Sequence, residues 1–151
     1  FFLAEGEETH TGKPIYITES DIENIITAKA AIFAAIKIIT ERVDLSFHDI
    51  QTLYIAGGFG NYIDVDNAVN IGLIPNIDRE KVKFVGNTSI KGSKIVALYK
   101  EELKTVEKIM DMTTYYDLMG ANDYVEEFRE ALFLPHTDIE LFRSTACKTE
   151  A

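Results

Sequence analysis

Three glycines fall within four residues at Gly57-Gly58-Phe59-Gly60, directly after the apolar run Leu53-Tyr54-Ile55-Ala56 and just before Asn61. A glycine inside regular structure costs roughly 0.5–1 kcal/mol relative to alanine, so such a cluster belongs where φ is positive or where something approaches the backbone closely. A strand that ends in this turn presents bare N–H groups. These can form an anion-binding concavity, and with no Cβ in the way a nucleotide can lie directly on the chain. The other reading is a tight strand-to-helix turn with no ligand. A second small polar turn, Gly86-Asn87-Thr88-Ser89, also follows an apolar strand, Val82-Lys83-Phe84-Val85. The first turn lacks the Gly-Lys-Ser/Thr ending of a P-loop and the Gly-x-Gly-x-x-Gly of a dinucleotide fingerprint.

Few other residues offer chemistry. Lys29 projects from the middle of an apolar helix face, one turn from Ile25, Ile26, Ile32 and Phe33. A buried, unpaired ammonium is expensive, so it must snorkel to water, pair with a carboxylate, or meet an anion such as phosphate. Asp64 and Asp66 could hold a hydrated Mg²⁺, although helix N-cap and first-turn charge are the plainer roles. His10, His48 and His136 lie far apart in different elements, which suits surface or packing residues better than a metal site. One cysteine, Cys147, excludes both a disulfide framework and a cysteine-ligated cluster within this chain.

Composition narrows the partners. With 15 basic against 25 acidic residues the formal net charge is −10, and such a surface repels phosphate backbones, so no nucleic-acid partner is expected. No apolar run approaches the ~18 residues of a membrane span and no signal peptide is visible, so the expected compartment is the cytoplasm, away from membranes. The 151 residues fit one domain with a proper core. Because the chain starts Phe1-Phe2 without an initiator methionine, a fragment of a longer protein is expected.

Positioning those turns requires an α/β framework. Phe1 to Leu3 and Pro14 to Thr18 read as a strand pair, either a hairpin around a long polar tip or two strands whose partners lie in a missing part of the protein. Ser20-Asp21-Ile22-Glu23 has the form of a capping box, and a long helix from Asp21 to about Val43 should follow, buried on most of its circumference. Thr52 to Ala56 reads as a strand of the kind found inside parallel sheets. Asp64 to Ile71 reads as a short helix with Gly72 at C′ and Pro75 beyond it. Val82 to Val85 is the next strand, followed by helices over Ser89 to Tyr99 and Lys100 to Met112. Thr113 to Leu118 suggests an edge strand and Asp123 to Leu132 an amphipathic helix; from Pro135 on, an extended or flexible tail is expected. The domain is thus drawn at residues 1–135, with 136–151 as tail.

Strand, turn and helix occur twice, separated by about one crossover, so the two strands should be parallel neighbours. Ligands of open α/β sheets bind at the carboxyl ends of strands, which makes the two turns the lips of one crevice.

The ordered series Asp21-Ile22, Ala28-Lys29-Ala30-Ala31-Ile32, Ile55-Ala56-Gly57-Gly58-Phe59-Gly60-Asn61-Tyr62, Ala68, Ile71-Gly72-Leu73-Ile74-Pro75 and Val85-Gly86-Asn87-Thr88 with Gly92 resembles the C-terminal domain of the reductive activators of corrinoid proteins. These are ATP-dependent iron–sulfur proteins of anaerobic one-carbon metabolism, and the resemblance spans Phe1 to Pro135. It implies an actin-like ATPase (ribonuclease H-like) half-domain, similar to the actin, sugar kinase and heat-shock chaperone superfamily. Carried over, Gly57, Gly58, Phe59, Gly60 and Asn61 would match the glycine turn that touches ribose and phosphates, and Asn87 and Thr88 the next strand's loop, with Lys29 a further candidate. Phe59 stands where the wider superfamily has a third consecutive glycine; its ring would stack on the base or fill the core.

The implied cofactors are ATP or ADP with Mg²⁺, in a site completed by a missing half, and a [2Fe–2S] cluster in the full-length protein only. The implied partners are a corrinoid protein or corrinoid methyltransferase system, the missing N-terminal domains, and a second copy in a homodimer. Implied too is return of an inactive Co(II) corrinoid to Co(I), with the isolated fragment itself inactive. The competing reading is a non-catalytic interaction or dimerisation module of the same fold. A third, half of a small-molecule kinase, would need a substrate carboxylate that the sequence does not reveal.

Overall fold

The computed structural model describes residues 1–118, 120 and 122–143, with the side chains of Phe59, Asn61 and Asn122 outside that description. The first strands, β1 (Phe2–Ala4) and β2 (Ile15–Tyr16), pair antiparallel as expected. Helix α1 (Glu19–Arg42) starts two residues before the sequence reading placed it. Thr18, still extended, is the N-cap: its hydroxyl accepts from Asp21 N at 3.1 Å, and the Asp21 carboxylate accepts from Thr18 N at 2.8 Å. Thr18-x-x-Asp21 and Ser20-x-x-Glu23 both fit a capping box, and the one at the point where the backbone leaves β2 takes the role.

Burial of α1 is narrower than its composition suggested. Lys29, Ala30, Phe33, Ala34 and Ile38 are buried, whereas Ile22, Ile25, Ile32 and Ile39 are exposed. The buried stripe packs on α5 (Asn122–Ala131), where Ala30, Phe33 and Ala131 form one core cluster with Phe47, Phe128, Leu132, Leu141 and Phe142 around it.

Strand β3 (Leu53–Ala56) lies parallel to β4 (Val82–Gly86), with Leu53 opposite Val82 and Ala56 opposite Gly86. Between them, α2 (Val65–Asn70) is capped by Asp64, whose carboxylate accepts from Asn67 N at 2.8 Å. At its other end Gly72, at φ +75°, donates to Val69 O, and Leu73 N donates to Ala68 O, which closes a Schellman motif. Ala68, Val69 and Ile74 make a second core cluster, with Phe142 touching both clusters. Two helices follow β4: α3 (Thr88–Leu98) and α4 (Leu103–Met112).

Two expectations fail. The segment Thr113 to Leu118 forms no strand: among the described residues the two sheets are the pairs β1–β2 and β3–β4, and neither takes it up. The segment after Pro135 is built into the fold as far as residue 143: His136 is buried and the one-turn 3₁₀ helix Ile139–Phe142 carries Phe142 into the core. The rings of His136 and Phe142 each lie 5.2 Å from that of Phe33, and this aromatic burial outweighs the polar appearance of the sequence there.

Candidate functional site

Both glycine turns lie at the carboxyl ends of the paired strands. Gly57 N donates to Gly86 O at 2.9 Å, so the turns are hydrogen-bonded neighbours on one rim of the sheet. Gly57 (φ +98°) and Gly86 (φ +66°) both occupy the left-handed region that favours glycine. A Cβ built on Gly57 or Gly58 would meet nothing within 4 Å, which leaves that lip open. Gly60 differs: it is buried, and a Cβ there would sit 2.9 Å from Ile55 Cγ2, so its missing side chain serves packing. Phe59 and Asn61 share the one-turn 3₁₀ helix Phe59–Tyr62, and the expected contacts of their side chains lie outside the described structure.

On the second lip, Asn87 Oδ1 accepts from Ile90 N at 3.0 Å and so caps α3, while Thr88 opens the helix and is exposed. Beside them is a residue the sequence reading missed. Lys91, one turn into α3, donates from Nζ to Val85 O at 2.7 Å, and the same Nζ lies 3.7 Å from where a Gly86 Cβ would be. Its signal was present in the charge pattern: five lysines and no acidic residue fall between Lys81 and Lys100 in a chain of net charge −10.

Lys29 does not join this rim as a phosphate ligand. It is 1% exposed, and Nζ donates to the carbonyl oxygens of Phe133 and Pro135, the latter at 2.8 Å. Burial pushes its ammonium below the usual lysine range. Its work is to tie α1 to the turn after α5, a turn that also presses on Gly72, where a Cβ would lie 2.1 Å from Pro135 O. Asp64 and Asp66 are likewise engaged, Asp64 as the α2 cap and Asp66 with Arg79 Nε at 2.7 Å, so the plainer roles stand.

A buried charge network was also invisible in the sequence. Glu127 accepts from Lys37 through one oxygen and pairs with His136 Nε2 at 2.9 Å through the other. With Glu130 these residues bring three ligand-type atoms within 4.8 Å of one another. His136 Nδ1, however, accepts from Asp138 N at 3.0 Å, which leaves the ring proton on Nε2, donated to Glu127. A protonated nitrogen has no lone pair for a cation, and the group is satisfied as a structural network. Burial would lower the Lys37 ammonium, but the hydrogen bond and charge of Glu127, with Glu41 and Glu130, outweigh it and hold Lys37 above its usual value.

The geometry has counterparts among known proteins. Residues 1–146 match the family model described as the C-terminal domain of RACo, the ASKHA domain. The chain belongs to this family. An ASKHA domain of this kind is an actin-like α/β fold, and the parallel β3–β4 pair with its rim of small residues agrees with it. The chain is 36% identical to the corrinoid activation enzyme RamQ of Eubacterium limosum over 85% of its own length and 22% of that protein's. It is 33% identical to a [Co(II) methylated amine-specific corrinoid protein] reductase of Methanosarcina barkeri, over 73% of this chain and 20% of that one. A solved reductive activator for corrinoid, iron–sulfur protein superposes with a TM-score of 0.89 and 43% identity, over 94% of this chain and 23% of that one. This RACo-type domain therefore spans about a fifth of the length of the relatives it matches.

Proposed function

We propose that this chain is the nucleotide-binding half of an ATP-dependent reductive activator that returns an inactive Co(II) corrinoid protein to Co(I). The single observation that carries the reading is the open rim at Gly57 and Gly58, hydrogen-bonded to Gly86, in a domain of the RACo family. What supports an adenine nucleotide there is access: Gly57 and Gly58 are adjacent, carry no side chains and have nothing within 4 Å of their Cβ positions, so a ligand can approach the backbone directly. Gly57, Gly58 and the Asn87-Thr88 turn would hold it; when bound, ATP with Mg²⁺ supplies the free energy of phosphoryl transfer. Lys29 is withdrawn from this set because its ammonium is spent on carbonyl oxygens.

Electrons must come from outside this chain, since its one cysteine cannot provide the thiolates of a [2Fe–2S] cluster. The relatives' length leaves room for such a domain and for the other half of the nucleotide site. On this reading the protein works in the cytoplasm of an anaerobe, on a corrinoid protein of one-carbon metabolism, and the isolated chain binds ATP weakly and does not turn it over.

The test is Gly58→Val in the full-length protein. Gly58 has helical dihedrals and open space around its Cβ position, so the fold should tolerate valine with an unchanged unfolding midpoint. The branched side chain would instead stand over the rim where the ligand is proposed to lie. The expected result is at least a tenfold loss of ATP and ADP affinity by titration with Mg²⁺; equal affinity in parent and variant would rule the crevice out.

A further inference from the structure

We propose that Lys91 is the cationic anchor of this crevice, its ammonium exchanging the Val85 carbonyl for a phosphate oxygen of a nucleoside di- or triphosphate. The inference rests on the nucleotide reading above and names the part of the ligand that the second lip recognises. Three observations carry it. Lys91 Nζ sits beside Gly86, the residue that accepts from Gly57 N, so a cation stands on the rim where the two turns meet. Among the described residues its hydrogen-bond partner is the neutral Val85 oxygen at 2.7 Å, and no carboxylate forms an ion pair with it.

The surrounding charge is the third observation. Five of the chain's 15 basic residues and none of its 25 acidic ones fall between Lys81 and Lys100, and three of the five, Lys83, Lys91 and Lys94, lie on β4 and α3. A compact ammonium on a flexible stem is suited to phosphate as a point charge, and moving from a neutral carbonyl to an anionic oxygen makes the hydrogen bond charge-assisted at both ends. Lys91 is exposed, so this exchange needs no unfolding of the second lip.

The experiment compares ATP, ADP and adenosine, with Mg²⁺, on the full-length protein and on Lys91→Ala, Lys91→Arg and Lys81→Ala variants. Lys81 lies at the far end of β4, where its Nζ reaches His48 O, and serves as the control for net charge. Lys91→Ala should bind ATP and ADP about tenfold more weakly, the size of one charged hydrogen bond. Adenosine affinity should not change, Arg should restore most of the loss, and Lys81→Ala should behave as the parent. Unchanged ATP affinity in Lys91→Ala, or an equal loss for adenosine and ATP, would overturn the phosphate role while leaving the Gly58 result intact. A parent protein that binds none of the three ligands would remove the crevice itself.

Discussion

Thr18 and Asp21 exchange hydrogen bonds in both directions at the start of α1, and Ser46 and Asp49 repeat the pattern at the one-turn 3₁₀ helix Phe47–Asp49. Hydrogen bonds from the Thr18 hydroxyl and then its backbone N–H hold the Asp21 carboxyl below its ordinary 3.8, and those from Ser46 do the same for Asp49. A carboxyl whose folded value is depressed contributes stability that is complete above its unfolded value and lost as pH falls through the folded one. We expect the urea midpoint to decline as pH drops below about 4, and an Asp21→Asn, Asp49→Asn double variant to start lower at neutral pH and show a flatter acid limb. A decline as steep in the variant as in the parent would refute this. The same scale separates glycines that look alike in sequence: Gly58 is bare toward solvent, Gly60 is packed, and Gly72 is held under a carbonyl.

Helix α1, helix α5 and the segment up to residue 143 act together as one element of the fold. Lys29 fastens the turn after α5, the Lys37–Glu127–His136 network fastens its flank, and Phe142 joins the two core clusters. Phe142 is only half-buried, so Phe142→Ala should cost about 2–3 kcal/mol, at or below the lower end of the ~3–5 kcal/mol typical of buried phenylalanine. The check is a urea unfolding curve of the same chain; a loss below about 0.5 kcal/mol would mean that this segment adds nothing to the core.

Across the whole molecule, large apolar side chains remain on the surface: Phe1, Phe2 and Tyr16 on the strand pair, Ile22, Ile25 and Ile32 on α1, and Ile109, Met110 and Met112 on α4. Among the described residues no helix is long and apolar enough to cross a membrane, so these faces call for another explanation. Where such side chains cluster, as the rings of Phe2 and Tyr16 do at 6.1 Å, they mark contact with other protein. This chain spans about a fifth of its relatives' length, so in those proteins the remaining length is available to cover the matching faces. The isolated 151-residue chain should therefore bind a hydrophobic dye in its native state and self-associate, and a double change, Ile109→Lys with Met110→Glu, should reduce both. Absence of dye binding by the parent chain would show that these faces are already satisfied.

By itself the sequence determined the periodic and punctuated features: the parallel β3–β4 pair, the Gly72 helix stop, the long α1, and two side-chain-poor turns following two strands. Each of these follows from local backbone preference or from a repeat that the chain carries within one segment. Tertiary structure alone decided which glycine is bare and which is packed, that Lys29 serves carbonyl oxygens 104 and 106 residues away, that His136 and Phe142 belong to the core, and that Lys91 faces Gly86. Those outcomes depend on which distant segment arrives at a given face, and no spacing within a single element encodes that meeting.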